Sequence, residues 1–268
     1  MGVASLPMYD MPEVRKALDS LWSGFAYNLQ REGIGDIPKY LVHDSPLNQL
    51  WDDPRVMFSQ CCGYDLVNRY AGQLVPIATP HYGAPECKGG DYASVIVVRE
   101  DHETDDVLDM RGAICVINGP ESHSGMNALR ALVAPVSRRG RFFTHVKVSG
   151  SHRDSLEMIR RGEADVAAID CVTYALLKRY RPDALSGIRK LGRTYRAPGV
   201  PYVTRAVLSK DTVARMRAAV LRTFADAKLA TVRQALLLKD VHEIRLSGYK
   251  RITEFQEFSA RHQFSMVN

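Results

Sequence analysis

One stretch limits what this chain can fold into more than any other: residues 113–132, reading AICVINGPESHSGMNALRAL. Its first five residues are apolar and rich in β-branched side chains, and Gly119-Pro120 cannot continue them, so a strand ends near Asn118. From Met126 the apolar side chains Met126, Leu129 and Val133 recur three or four apart, the spacing of a helix buried along one face. Ser122, His123, Ser124 and Gly125 therefore occupy a strand-to-helix passage. The first N–H groups of a helix have no intrahelical partner and carry roughly half a positive charge, so an anion is stabilised there. Two hydroxyls add donors, and Gly125 allows close approach to the backbone. The same hydroxyls also suit a plain N-cap, and these residues alone leave both readings open.

At 268 residues the chain is longer than the commonest single domain, which allows two lobes or one large α/β domain. No apolar run approaches the ~20 residues that cross a bilayer, so no membrane insertion is expected. The formal charge of +6 and pI near 9.1 favour anionic partners. Basic residues are dispersed, with short clusters at 138–141 and 178–181 and no nucleic-acid module around them, so the expected partner is a small molecule and not nucleic acid. Five cysteines lack CxxC and zinc spacing; no metal or cofactor is expected, and an odd thiol count suits a reducing compartment. Residues 1–10 show no positive region followed by an apolar core, so the expected location is cytoplasmic, or periplasmic where a leader precedes this sequence.

Taken in order, strands are expected at 3–8, 40–43, 56–59, 74–79 and 92–98. The first ends at Tyr9 and leads into a helix opening on Asp10, Pro12 and Glu13, with Val14, Leu18, Leu21, Phe25 and Leu29 at helical spacing. Gln60-Cys61-Cys62-Gly63-Tyr64 forms a second strand-to-helix passage, and 80–85 reads as loop. The acidic stretch 100–106 marks a boundary. Beyond it come strands at 113–117, 142–148, 166–169 and 188–192, with Ser151 capping a helix that Gly162 terminates and Asp170 tipping a buried strand. A strand at 202–208 returns the chain to the first lobe, and the remainder reads as helices. This gives an α/β protein with lobe 1 over 1–97, lobe 2 over 98–200, and the return strand and C-terminal helices over 201–268.

The ordered set 6–9 (LPMY), 60–64 (QCCGY), 77–82 (IATPHY), 90–98 (GDYASVIVV), 122–125 (SHSG), 150–152 (GSH) and 162–170 (GEADVAAID) resembles the phosphate/phosphite/phosphonate-type substrate-binding proteins of ABC importers. That resemblance implies the two-lobed type 2 periplasmic-binding-protein fold, each lobe a mostly parallel sheet flanked by helices, with a cleft between the lobes that closes on an oxyanion. It also implies an ABC permease as partner. Carried over residue by residue, it assigns Ser122, Ser124 and Gly125 to the phosphoryl oxygens, Tyr9 to the tip of the first strand, and His152 and Asp170 to the ligand. Cys62, Gly63, Tyr64, Tyr82 and His123 complete the candidate ligand-binding set. Two other classes share the fold: an enzyme with a reactive Cys62 or His152 acting on a small phosphorylated or pyrimidine metabolite, as in thiamine-pyrimidine synthases, and a cytoplasmic sensor of the regulator-effector kind. No glycine-rich phosphate loop, nucleophile elbow or attached helix-turn-helix supports either, so a non-enzymatic binding protein is expected, with no catalytic residue.

Overall fold

In the computed structural model, which describes residues 2–266, the chain forms two units, each built on a five-stranded sheet. The first unit takes Met1–Gly83 and Pro198–Tyr249. Leu18, Leu21, Trp22, Phe25 and Leu29 recur three or four apart and are buried along one face of the helix Arg15–Arg31. The Phe25 ring lies 5.1 Å from Phe58 and 5.3 Å from Tyr202, and Trp22 lies 5.5 Å from Phe58. This aromatic core joins helix to sheet, because Phe58 and Tyr202 belong to adjacent strands. Gly33 follows at φ +71°, a left-handed conformation that lets the chain leave the helix.

The first sheet runs Val3–Ala4, Val56–Gln60, Tyr202–Arg205, Leu74–Tyr82, Leu238–His242. Val3–Ala4 is parallel to Val56–Gln60, whereas Tyr202–Arg205 is antiparallel to both of its neighbours and Leu238–His242 is antiparallel to Leu74–Tyr82. Strands Val3–Ala4, Val56–Gln60 and Leu74–Tyr82 consequently share a direction and deliver Tyr9, Cys62 and Tyr82 towards one sheet edge.

The second unit takes Ala84–Ala197 and Lys250–Asn268. Its sheet runs His145–Val148, Ile114–Ile117, Val166–Asp170, Ser94–Arg99, Ile188–Arg193. The first three strands are parallel, and Ser94–Arg99 alone opposes the rest. Val95, Ile96, Val97, Cys115, Val116, Ala167 and Ile169 are all buried, the unbroken apolar run of strands covered on both faces. Ser151 caps the helix His152–Arg160 by accepting from the Asp154 N–H at 3.0 Å, and Gly162 ends it at φ +68°.

Several expectations need correction. The sheets are mixed, since one return strand is intercalated in the first and Ser94–Arg99 opposes its neighbours in the second. Residues 40–43 form no strand; Val42 makes a single backbone bond to the Ala4 carbonyl. Asp10 does not cap the first helix, because its carboxylate is held by Arg15 at 2.9 Å and His43 at 2.8 Å, and a short turn over Pro12–Val14 precedes Arg15. Leu74–Tyr82 extends through residues expected as loop because Leu238–His242, expected as helix, pairs with its end. The expected boundaries at 97/98 and 200/201 move to 83/84 and 197/198, and the last helix, Lys250–Arg261, joins the second unit, where Asn127 donates to the Ile252 carbonyl at 3.1 Å. Ser94–Arg99 belongs to the second sheet for the same kind of reason: its backbone pairs with Val166–Asp170.

Phe58 is fully buried among three aromatic rings, so Phe58→Ala is expected to lower unfolding free energy by ~3–5 kcal/mol in urea titration. Val207→Ala, at a position 88% exposed, is expected to stay within about 0.5 kcal/mol.

Candidate ligand-binding site

Register decides which turns meet in the second unit. Ile117 lies opposite Val148, Val116 lies opposite Ala167, and the three strands are parallel, so the segments after Ile117, Val148 and Asp170 emerge at one carboxyl edge. Open α/β sheets place ligands at such edges. Ser94 begins the antiparallel strand directly opposite Asp170 and so reaches the same edge.

At that edge Ser122 is the N-cap of a helical segment that starts as a π-turn over His123–Asn127 and continues as Ala128–Val133. The Ser122 hydroxyl accepts from the Gly125 N–H at 3.0 Å, and the Asn127 N–H bonds to the Ser122 carbonyl at 3.0 Å. The wider π-turn leaves the N–H groups of His123 and Ser124 at the helix start, where no intrahelical carbonyl precedes them. Ser124 Oγ lies 2.9 Å from His152 Nε2 and 3.5 Å from Ser122 Oγ, and its carbonyl accepts from Ser94 Oγ at 2.8 Å. A Cβ on Gly125 would come within 1.8 Å of Asn118 Oδ1, so only glycine fits as the turn is built.

His152 is partly exposed as a residue, yet its Nδ1 is sealed and has no partner among the described residues. Burial pushes its pKa down to about 4, so the ring is neutral near pH 7. With the ring proton on Nε2, His152 donates to Ser124 and leaves the serine proton for a third group. With the proton on Nδ1, Ser124 donates and a buried N–H is left over. Only the Nε2–H tautomer leaves a polar hydrogen, that of the Ser124 hydroxyl, available to an acceptor outside the pair, and in either tautomer the charge of the group is zero.

The other expected residues fall in several places. His123 is 2% exposed, accepts from Asn127 Nδ2 at 3.1 Å and stacks on Phe255 at 5.5 Å, so it is packed as a core group of the second unit. Asp170 Oδ1 accepts from the N–H groups of Val172 and Thr173 at 2.8 and 3.0 Å, which makes it the N-cap of Cys171–Tyr180. In the first unit Tyr9 and Tyr82 meet edge to face at 5.0 Å, and Gln60 Nε2 donates to Tyr82 Oη at 3.0 Å. Cys62 is the residue before the short helix Gly63–Val67; Cys62 and Gly63 are buried and Tyr64 is half-buried. Sequence reasoning missed two groups in the second unit, Ser94 and Asn118, whose Oδ1 is buried without a partner among the described residues. The available signal was a polar residue at the start of one apolar strand, Ser94, and one just past the end of another, Asn118.

A separate cavity of about 490 Å³ in the first unit is lined in part by Arg55, Arg205 and Arg215 and contains none of the expected residues. Its arginines are already engaged: Arg55 with Asp53, Arg205 with the Trp51 carbonyl, and Arg215 with Asp211.

The family model of ABC-transporter phosphonate periplasmic substrate-binding proteins matches residues 56–249. No curated protein sequence matches the chain. Among solved structures, XAC2383 from Xanthomonas citri bound to chloride ion is 15% identical, with 98% of each chain covered and a TM-score of 0.73; the same protein bound to ATP gives 0.70. A binding-protein component of an ABC phosphonate transporter from Pseudomonas aeruginosa (PA3383) is 16% identical over 97% of this chain and 87% of its own, at 0.76. PhnD1 from Prochlorococcus marinus in complex with methylphosphonate is 14% identical over 96% and 97%, at 0.74. These likenesses show the fold, the type 2 periplasmic-binding-protein class.

Burial depresses the His123 pKa to about 3, from an unfolded value near 6.5. The unfolded chain therefore takes up a proton in that window before the folded chain does; stability is complete above pH ~6.5 and falls as pH drops towards 3. His123→Gln keeps an acceptor for Asn127 and removes the titrating ring. Urea stability measured from pH 7 to pH 4 is expected to fall less steeply in this variant than in the parent, and equal slopes would refute the assignment.

Proposed function

The chain belongs to the periplasmic substrate-binding proteins of phosphonate ABC transporters, and from that premise we propose that it captures a small phosphonate- or phosphate-like oxyanion at the helix start after Ile117. Its role is solute binding, and neither the enzymatic nor the sensor alternative is favoured. The observation that carries the proposal is the Ser124 Oγ to His152 Nε2 contact at 2.9 Å, made by a neutral imidazole whose other nitrogen is sealed.

Phosphoryl and phosphonyl oxygens are acceptors, and this edge supplies donors. The hydroxyls of Ser122 and Ser124 lie 3.5 Å apart beside the N–H groups of the helix start, and Gly125 makes room for the Asn118 side chain against the turn. Neutral donors avoid a stranded buried cation in the empty protein, while the helix start supplies partial positive charge. His152 acts by orienting the Ser124 hydroxyl. Asp170, already holding two amides, lends order to the neighbouring turn and accepts from a protonated oxygen or an amine on the ligand. Tyr9, Cys62, Gly63, Tyr64 and Tyr82 lie in the first unit, at the carboxyl ends of its co-directional strands.

A family of this kind implies a membrane permease as partner. Among the described residues no helix is long and apolar enough to cross a membrane, so in this reading the chain delivers its solute to a separate permease, from the periplasmic side.

Calorimetric titration with methylphosphonate, phosphate, sulfate and ATP tests the proposal; ATP is included because XAC2383, of the same fold, has been solved with it. Methylphosphonate or phosphate is expected to bind. Ser124→Ala and His152→Ala are each expected to weaken that binding tenfold or more, about 1.4 kcal/mol, while the melting temperature stays within a few degrees. Unchanged affinity in both variants, or no binding of any phosphorus oxyanion by the parent protein, rejects it.

A further inference from the structure

The pairing of Leu238–His242 with Leu74–Tyr82 assembles a group of side chains that neither strand holds alone. Asp240 lies directly opposite His81, and His242 lies opposite Thr79. Directly opposed residues of an antiparallel pair point to the same face, and so do residues two apart on one strand. His81, Asp240 and His242 therefore share one face at the sheet's edge. The two imidazole rings lie 4.0 Å apart, His242 Nε2 is 3.1 Å from Asp240 Oδ2, and one ligating atom from each of the three residues falls within 4.8 Å of the others.

We propose that His81, Asp240 and His242 form a binding site for a divalent transition-metal ion of the zinc class in the first unit, with a donor set distinct from that of the oxyanion site. Two imidazoles and one carboxylate are the donor set that borderline dications prefer, and three protein ligands leave a fourth position for water. Hard cations such as Mg²⁺ and Ca²⁺ select oxygen-rich sets and are poorly matched by two ring nitrogens. The charge also suits a dication: two imidazoles and one carboxylate, deprotonated as metal binding requires, offer it a single negative charge. His81 is half-buried on the inner of the two strands, while Asp240 and His242 are exposed on the edge strand, so an ion enters from solvent and bridges the two. Its structural effect is to clip the edge strand to its neighbour. No cysteine or short-range His pairing announces the site, which explains why the sequence led to an expectation of no metal.

The test is zinc chloride added to protein stripped with a chelator and exchanged into a non-chelating buffer, followed by calorimetry and by thermal melting. The parent chain is expected to bind one zinc ion and to melt at a higher temperature with zinc than without. His81→Gln and His242→Gln are each expected to weaken zinc binding at least tenfold, and the double variant to lose both the binding and the zinc-dependent rise in melting temperature. The double variant's melting temperature without zinc reports whether it folds. If it does not, Asp240→Asn, at an exposed position, takes its place, with a smaller but measurable loss expected. Absence of zinc binding by the parent at hundreds of micromolar, or binding with parental affinity and stoichiometry in variants that fold, overturns the proposal. Since methylphosphonate titration reads the oxyanion site separately, failure here and failure there are distinguishable.

Discussion

A hydroxyl–imidazole contact, Ser124 Oγ to His152 Nε2, links two turns that follow neighbouring parallel strands. Without it the π-turn after Ile117 and the helix start after Val148 would be separate local structures. With it, the edge of the second unit carries a set of donors fixed in relation to one another. The contact depends in turn on the strand register, on Ser122 closing the π-turn through the Gly125 N–H, and on Ser94 holding the Ser124 carbonyl at 2.8 Å. Each of those is a local consequence of a small residue at the end of an apolar strand.

The electrostatic character of this edge differs from that of the surface. The chain carries a net charge of +6, but surface arginines such as Arg55, Arg99 and Arg251 are paired with Asp53, Asp101 and Asp91. Exposed pairs of this sort contribute little to stability and are screened by salt, whereas the excess of positive charge draws anions towards the protein over longer range. At the proposed site the donors are uncharged, and burial keeps His152 neutral. A neutral site loses little in the empty state, because no isolated charge has to be held away from water. Capture then relies on geometry and on partial charges at the helix start.

Much of the fold was legible where the cause is local. Ser151, Gly162, Gly33 and the apolar runs at 114–117 and 166–169 act through neighbours a few residues away, and the structure uses them as the sequence suggested. Illegible parts depend on distant partners. Leu238–His242 reads as the continuation of a helix until Leu74–Tyr82 offers it hydrogen bonds, and Lys250–Arg261 reads as part of the first lobe until Asn127 reaches the Ile252 carbonyl. The same holds at the site. The Ser122–Gly125 passage was visible in the sequence, whereas the bond from Ser94 to Ser124 and the packing of His123 on Phe255 arise only from tertiary pairing.

The central claim is that a neutral Ser124–His152 pair presents a hydroxyl proton to a phosphorus oxyanion. Nitrogen-15 NMR of the His152 side chain tests it most directly, recorded against pH and then with saturating methylphosphonate. The account predicts a neutral ring from pH 7 down to about pH 5, in keeping with a pKa near 4, and a displacement of the ring nitrogen signals on adding methylphosphonate. An imidazolium at pH 7, or ring signals that saturating ligand leaves unmoved, would contradict it.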